Sequence, residues 1–157
     1  MANLFLASEI LEINVEEERN GAAFYTALAE KSKNKLVKST AEDIASQEKM
    51  HEKRFQDLLG RVEHRESEEQ YPGEFNAYID ALKGNRIFND PAHAEETAKN
   101  VSDVDALQLA LKTEYATLKL LRELRRHIDK GEVQYVDLTI EEEEAHVNQL
   151  NQLLEKL

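Results

Sequence analysis

Four long segments of this 157-residue chain place apolar side chains in steps of three and four, the period of an amphipathic α-helix. Their bounds are residues 4–32, 35–59, 102–130 and 132–157. The first two are separated only by the short turn KSKNK, and the last two only by Gly131, so each pair is predicted to form an antiparallel hairpin. The pattern predicts an all-α fold, a four-helix bundle of two helical hairpins joined by a long crossover. The length suits one compact domain over 1–157.

The ends of the segments carry recognisable signals. Gly60 is a typical residue just beyond a helix, and Ser102 with an acidic residue three positions later resembles a capping box. Between them, residues 60–101 are too long for a tight turn. We expect 61–70 to be a solvated linker, one short helix to follow Pro72-Gly73, and a turn at Asn89-Asp90-Pro91.

Charged and polar side chains interrupt the apolar stripes at regular places. In the second segment the stripe reaches Ile44, continues through Glu48 and His51, and resumes at Phe55, always in steps of three or four. The other three segments have similar interruptions. The full set is Glu18, Glu48, His51, Glu114, Glu143 and His146. All six are therefore predicted to face the axis of the bundle.

Four buried carboxylates need compensation, because burying an unpaired carboxylate costs several kcal/mol. Two divalent cations would balance their charge, and a Glu and a His three residues apart lie on one helical face. Carboxylate and imidazole together suit Fe or Mn, with Zn also chemically possible. Glu143 and His146 lie 95 residues after Glu48 and His51, which indicates that the chain contains two copies of one helical hairpin as an internal repeat.

A hypothesis without metal competes with the hypothesis of two bound cations. A single Glu-x-x-His is a weak motif, and the stripes of a helical interaction module can tolerate charge. His64, His93 and His127 have no Glu three residues before them and are predicted to be surface or loop residues. Around the Glu143 motif, most of Glu141, Glu142 and Glu144 are expected to face water.

Composition excludes several classes of function. The net charge is −12, and without a basic patch nucleic acid and anionic membrane surfaces are poor partners. The chain has no cysteine, which excludes disulfides, thiolate metal sites and thiol nucleophiles. We see neither a signal peptide nor an apolar run of membrane-spanning length, so a cytoplasmic location is expected.

The stretches ERNGAAFYTALAEKS, IASQEKMHEKRFQDLL and EEEEAHVNQLNQLL resemble the rubrerythrin-like branch of the ferritin-like superfamily. The resemblance implies a ferritin-like bundle in which the six residues bind two Fe ions. It also implies that Tyr25 lies near the metals, where it could tune the site or transfer an electron. The implied activity is an oxidoreductase that reduces peroxide or dioxygen. The alternative within metal biology is a ferroxidase or iron-handling protein.

The chain departs from the rubrerythrin pattern in three respects. Rubrerythrins carry a rubredoxin-like domain with cysteine-bound iron, so here we expect a separate electron donor such as a rubredoxin-like protein. Thr117 stands where rubrerythrins have an extra glutamate, which bears on peroxidase chemistry that depends on it. Leu120 and Leu121 are the counterpart, on the third predicted helix, of the aromatic pair Phe24-Tyr25 on the first, so one side of the site is expected to be more apolar. A homodimer is the expected assembly.

Overall fold

The computed structural model describes residues 4–63 and 73–157, and these ranges form six α-helices with no strand. The helices are α1 Leu4–Lys31, α2 Lys35–Glu63, α3 Gly73–Gly84, α4 Pro91–Asn100, α5 Asp103–His127 and α6 Val133–Glu155. The all-α prediction is confirmed, and the architecture is that of a ferritin-like helical bundle. No helix within these ranges is long and apolar enough to cross a membrane.

The bundle consists of two packed hairpins. Helix α1 packs along α2, and α5 packs along α6. The hairpins meet where α1 lies against α5 and α2 against α6, while α4 packs against α1. The early part of α1 shares a core with the late part of α5, so these two neighbours run antiparallel.

Two apolar clusters fill the bundle, one toward each end. The first core lies at the α1–α2 turn and contains Phe24, Leu28, Ile44, Leu107 and Leu150 among others. The second core lies at the opposite end and includes Ile10, Phe55, Leu58, Leu121 and Val136. Together they hold most of the buried apolar side chains and leave a layer between them that is not apolar.

Local capping explains where the main helices begin. Ser102 is the N-cap of α5, and its hydroxyl accepts a hydrogen bond from the Asp105 backbone N–H, as the sequence predicted. Asn34 serves α2 in the same way by accepting from the backbone N–H groups of Leu36 and Val37. Acidic residues in the first turn of α5 and basic residues in its last turn complement the helix dipole.

The crossover and some helix ends differ from the prediction. Within its described residues the crossover holds two helices instead of one, because Asp90 does not form a simple turn: it caps α4, with Pro91 at the first helical position. Helix α2 continues through Gly60 to Glu63, which shortens the predicted linker; residues 64–72 lie outside the described ranges. Helix α5 ends at His127, three residues before the predicted end. Leu157, the last apolar residue of the fourth predicted segment, is exposed.

Candidate metal centre

A charged layer separates the two apolar cores. It is built from the six residues that interrupt the stripes, contributed by α1, α2, α5 and α6. Their exposed fractions are 1% for Glu18, 4% for Glu48, 0% for His51, 2% for Glu114, 0% for Glu143 and 0% for His146. The structure therefore brings together every residue that the helical phase placed on the axis.

The layer divides into two overlapping groups of possible ligands. One group is formed by Glu18, His51, Glu48 and Glu143, and the other by Glu114, His146 and the same two glutamates. Within each group the donor atoms lie within 4.8 Å of one another. Because Glu48 and Glu143 belong to both, the arrangement can hold two cations side by side with two shared carboxylates.

The first group has buried donor atoms that make no hydrogen bond. His51 Nδ1 lies 3.0 Å from Glu143 Oε1 and 3.4 Å from Glu18 Oε2. None of these three atoms has a hydrogen-bond partner in the described part of the chain, and the same is true of Glu18 Oε1 and Glu48 Oε1. Buried polar atoms are nearly always satisfied, so lone pairs that converge without a donor fit a bound cation.

The second group is equally compact. His146 Nδ1 lies 2.8 Å from Glu143 Oε2, 3.5 Å from Glu48 Oε1 and 3.7 Å from Glu114 Oε1. The two imidazole rings face each other at 5.7 Å between centroids, with an angle of 28° between their planes. Both rings therefore turn Nδ1 toward the carboxylates, which leaves each Nε2 for another partner.

Gly21 provides room for one of the shared glutamates. A Cβ atom at this position of α1 would lie 2.3 Å from Glu48 Oε2, far inside van der Waals contact. The carboxylate of Glu48 thus reaches the axis by passing over a helix surface that has no side chain. A glycine in the middle of a helix lowers stability, and here no larger residue would leave space for the Glu48 carboxylate.

The outer nitrogens of the two histidines have partners that the sequence interpretation did not identify. His146 Nε2 lies 2.8 Å from Gln47 Oε1, and His51 Nε2 lies 2.5 Å from Glu142 Oε2. Glu142 also accepts hydrogen bonds from Arg54, so it is the exception to the expected solvated face, whereas Glu141 and Glu144 are exposed. The signal for both partners was present, because each directly precedes a ligand glutamate and they match at the 95-residue offset.

Burial and mutual repulsion control the charges in the layer. Burial raises the pKa values of Glu18, Glu48 and Glu114 well above the usual range, and neighbouring carboxylates raise them further. Burial opposes ionisation of Glu143 as well, but the two neighbouring histidines hold its pKa below the usual value, His146 through a hydrogen bond and His51 through its ring 3.0 Å away. Burial disfavours charged imidazoles, yet the surrounding glutamates raise the pKa of both rings. Without cations, the layer must take up protons to balance its charge.

Tyr25 lies at the boundary between the layer and the first core. Its hydroxyl donates a hydrogen bond to Glu114 Oε1. Burial and the nearby Glu114 raise the pKa of Tyr25 well above its usual value, so the hydroxyl stays protonated as a donor. Phe24 packs edge-on against the Tyr25 ring, with 5.6 Å between centroids, and stacks on Phe88 from the crossover.

Several other titratable residues, including His93 and His127, lie outside the layer's contacts. Glu17 is buried but turns to the crossover, where its Oε1 lies 3.5 Å from Arg86 Nε; burial raises its pKa to about 7. His93 is exposed and accepts a hydrogen bond from the Asn89 backbone N–H, whereas His127 is half-buried. His64 lies outside the described residues.

Three neighbours of the layer on α5 are uncharged and buried. Thr117, where the resemblance implies an extra glutamate, has 5% of its surface exposed. Leu120 and Leu121 are also buried. Glu144 faces solvent and pairs with the exposed Arg122.

Comparison with known families agrees with this geometry. The family model described as Rubrerythrin matches residues 9–102, which include most of α1, all of α2 and the crossover, and therefore Glu18, Glu48 and His51. Glu114, Glu143 and His146 follow the matched region, and the structure brings them to the same layer. No curated protein and no solved structure matches the chain. Because the match covers more than half of its length, the chain belongs to the rubrerythrin family.

Proposed function

We propose that this protein is a non-haem di-iron oxidoreductase that reduces peroxide or dioxygen with electrons from an external donor. The observation that carries the proposal is the pair of donor groups with Glu48 and Glu143 in common. A structural ion site needs one closed set of ligands, whereas two adjacent sets with shared carboxylates suit two-metal chemistry. Carboxylate and imidazole donors without thiolates suit iron, and membership of the rubrerythrin family supports that choice over Mn or Zn.

In this proposal, Glu18 and His51 would hold one iron and Glu114 and His146 the other, with Glu48 and Glu143 available to both. When bound, the iron pair would supply the two electrons needed to convert hydrogen peroxide and two protons into two water molecules, and an external donor would have to replace them. A rubredoxin-like protein is a suitable donor, since a sequence without cysteine cannot form a thiolate iron site of its own.

The remaining residues control the surroundings of the metals. The first and second cores close the layer from both ends, which excludes bulk water and keeps the electrostatic interactions inside strong. The Tyr25 hydroxyl keeps a proton beside Glu114 Oε1, so it orients that carboxylate and offers a proton at the edge of the site. Gln47 and Glu142 orient the two imidazoles from outside.

The test is anaerobic loading with Fe(II), followed by addition of hydrogen peroxide or air. We expect two irons per chain, and ferric absorption in the near-ultraviolet that appears after the oxidant and disappears when a reductant is supplied. Comparison of the two oxidation rates identifies the preferred oxidant. Glu143→Gln should abolish the response, whereas Glu144→Gln, which removes the same charge one residue later on the exposed face, should leave it unchanged.

Other outcomes would point to the alternatives. Oxidation without turnover by any reductant, accompanied by uptake of many irons per assembly, would indicate a ferroxidase or iron-handling protein. Less than one iron per chain after careful loading would indicate a metal-free helical module. In that case Glu48→Ala and Glu143→Ala would be neutral or stabilising, because they would remove buried charges that have no metal to bind.

A further inference from the structure

The two imidazoles in the charged layer are held from outside by residues of opposite hairpins. Gln47 precedes Glu48 on α2 and contacts His146 of α6, with 2.8 Å from its Oε1 to Nε2. Glu142 precedes Glu143 on α6 and contacts His51 of α2, with 2.5 Å from its Oε2 to Nε2. The two contacts are equivalent in the repeat, but one partner is a neutral amide and the other is a carboxylate.

The carboxylate partner is fixed in a network of its own. Arg54 Nη1 lies 3.2 Å from Glu142 Oε2, and Arg54 Nη2 lies 3.4 Å from Glu142 Oε1. The same Nη1 donates to Thr139 Oγ1 at 2.7 Å, which anchors the guanidinium on α6. Glu142 and Arg54 are mostly buried, with 27% and 18% of their side chains exposed. This ion pair therefore keeps a carboxylate directed at His51, whereas Gln47 has no charge to direct at His146.

We infer that the two metal positions are unequal, and that the position of Glu18 and His51 binds a divalent cation more tightly and fills before the position of Glu114 and His146. A carboxylate that accepts the Nε2 proton's hydrogen bond increases the donor strength of Nδ1 on the same ring, and a neutral amide does so less. The inference rests on the di-metal site of the proposed function. It concerns the order of binding, which the proposed function does not specify.

A second contact acts in the same direction. The Tyr25 hydroxyl donates to Glu114 Oε1, which draws electron density from a ligand of the later position. Glu18, the corresponding ligand of the earlier position, has no hydrogen bond on either carboxylate oxygen within the described chain. The position that fills first thus combines the imidazole of greater donor strength with the carboxylate that makes no hydrogen bond.

Calorimetric titration of the metal-free full chain with Co(II) tests the inference without any redox step. For the unmodified protein we expect two binding steps. After correction for the statistical factor that two identical sites would show, the first step should be at least about 10-fold tighter than the second. Glu142→Gln copies Gln47 at the equivalent position and should weaken the first step by about 10- to 100-fold, which brings the two steps together. Glu144→Gln is the matched control and should leave both steps unchanged.

The reciprocal substitution guards against a variant that is simply damaged. Gln47→Glu places a carboxylate behind His146 and should tighten the second step while the first stays the same. Two steps of equal strength in the unmodified protein, or a Glu142→Gln effect confined to the second step, would overturn the inference and leave the proposed function intact. Failure of the unmodified chain to bind Co(II) at all would refute both.

Discussion

Gly21 offers a direct test of the geometry of the metal site, because its lack of a side chain leaves room for the Glu48 carboxylate. A Cβ at this position would lie 2.3 Å from Glu48 Oε2 and 3.2 Å from Glu48 Cδ. Ordinary contact needs about 3.5 Å, so in Gly21→Ala the Glu48 carboxylate must move by about 1 Å. Metal–ligand distances vary by only about 0.2 Å, so this displacement removes Glu48 from both donor groups.

We expect Gly21→Ala to fold and to lose metal affinity at both positions. Alanine adds about 1 kcal/mol of helix propensity, and the displaced carboxylate offsets this gain, so the unfolding free energy of the metal-free protein should stay within about 1 kcal/mol of the original. Affinity for both cations should fall by at least the roughly 10- to 100-fold that loss of an outer partner costs. Urea unfolding and calorimetric Co(II) titration measure the two effects separately.

Gly60→Ala is the matched control for this experiment. Gly60 also lies within a helix, but a Cβ there would meet no atom within 4 Å. This variant should be as stable as the original or more stable by up to about 1 kcal/mol, with both metal-binding steps unchanged. If Gly21→Ala bound two cations with the original affinity, the assignment of Glu48 as a shared ligand would be refuted.

Three further predictions address charge, protonation and the tyrosine. Glu48→Gln should lose both metals because the residue is shared, whereas Glu114→Gln should lose mainly one; metal analysis of the purified variants distinguishes the two cases, and equal losses would contradict the sharing. The metal-free protein should lose stability as pH rises above 4.5, because the raised pKa values of Glu18, Glu48 and Glu114 make the folded chain bind protons that the unfolded chain releases. The raised pKa of His51 acts in the same direction above 6.5, while the lowered pKa of Glu143 acts in the opposite direction and makes the protein less stable as pH falls below 4.5. Metal affinity should instead rise with pH, since ligands must release protons to bind. Urea unfolding at pH 5 to 8 should therefore give opposite slopes of unfolding free energy against pH with and without metal. Parallel slopes would argue against the site. Tyr25→Phe should destabilise the metal-free protein by about 1–3 kcal/mol, because it deprives buried Glu114 of its donor; an unchanged urea midpoint would contradict this hydrogen bond.

The sequence predicted the charged layer because a charge on an apolar stripe is a local pattern. Glu48 and His51 follow Ile44 and precede Phe55 in steps of three and four, and the structure buries all four on one side of α2. The repeat then identified the equivalent pair on α6. No long-range information was needed, because helical phase alone determines which side chains face the axis.

The outer contacts were not predicted, since they depend on how the hairpins meet. Gln47 and Glu142 each lie one residue from the stripe, and only the packing of α2 against α6 places them behind the opposite histidine. The role of Gly21 was not predicted for the same reason, because it depends on the packing of α1 against Glu48 of α2. The crossover was misjudged for a local reason: Asp90-Pro91 suits a helix start as well as a turn.

A crystal structure of the iron-loaded protein, with anomalous data collected on both sides of the iron absorption edge, tests the central claim most directly. The claim predicts two iron peaks per chain, one beside Nδ1 of His51 and one beside Nδ1 of His146, with Glu48 and Glu143 contacting both. A single peak, or iron found only at surface carboxylates while the layer keeps its hydrogen bond between Glu143 and His146, would contradict it.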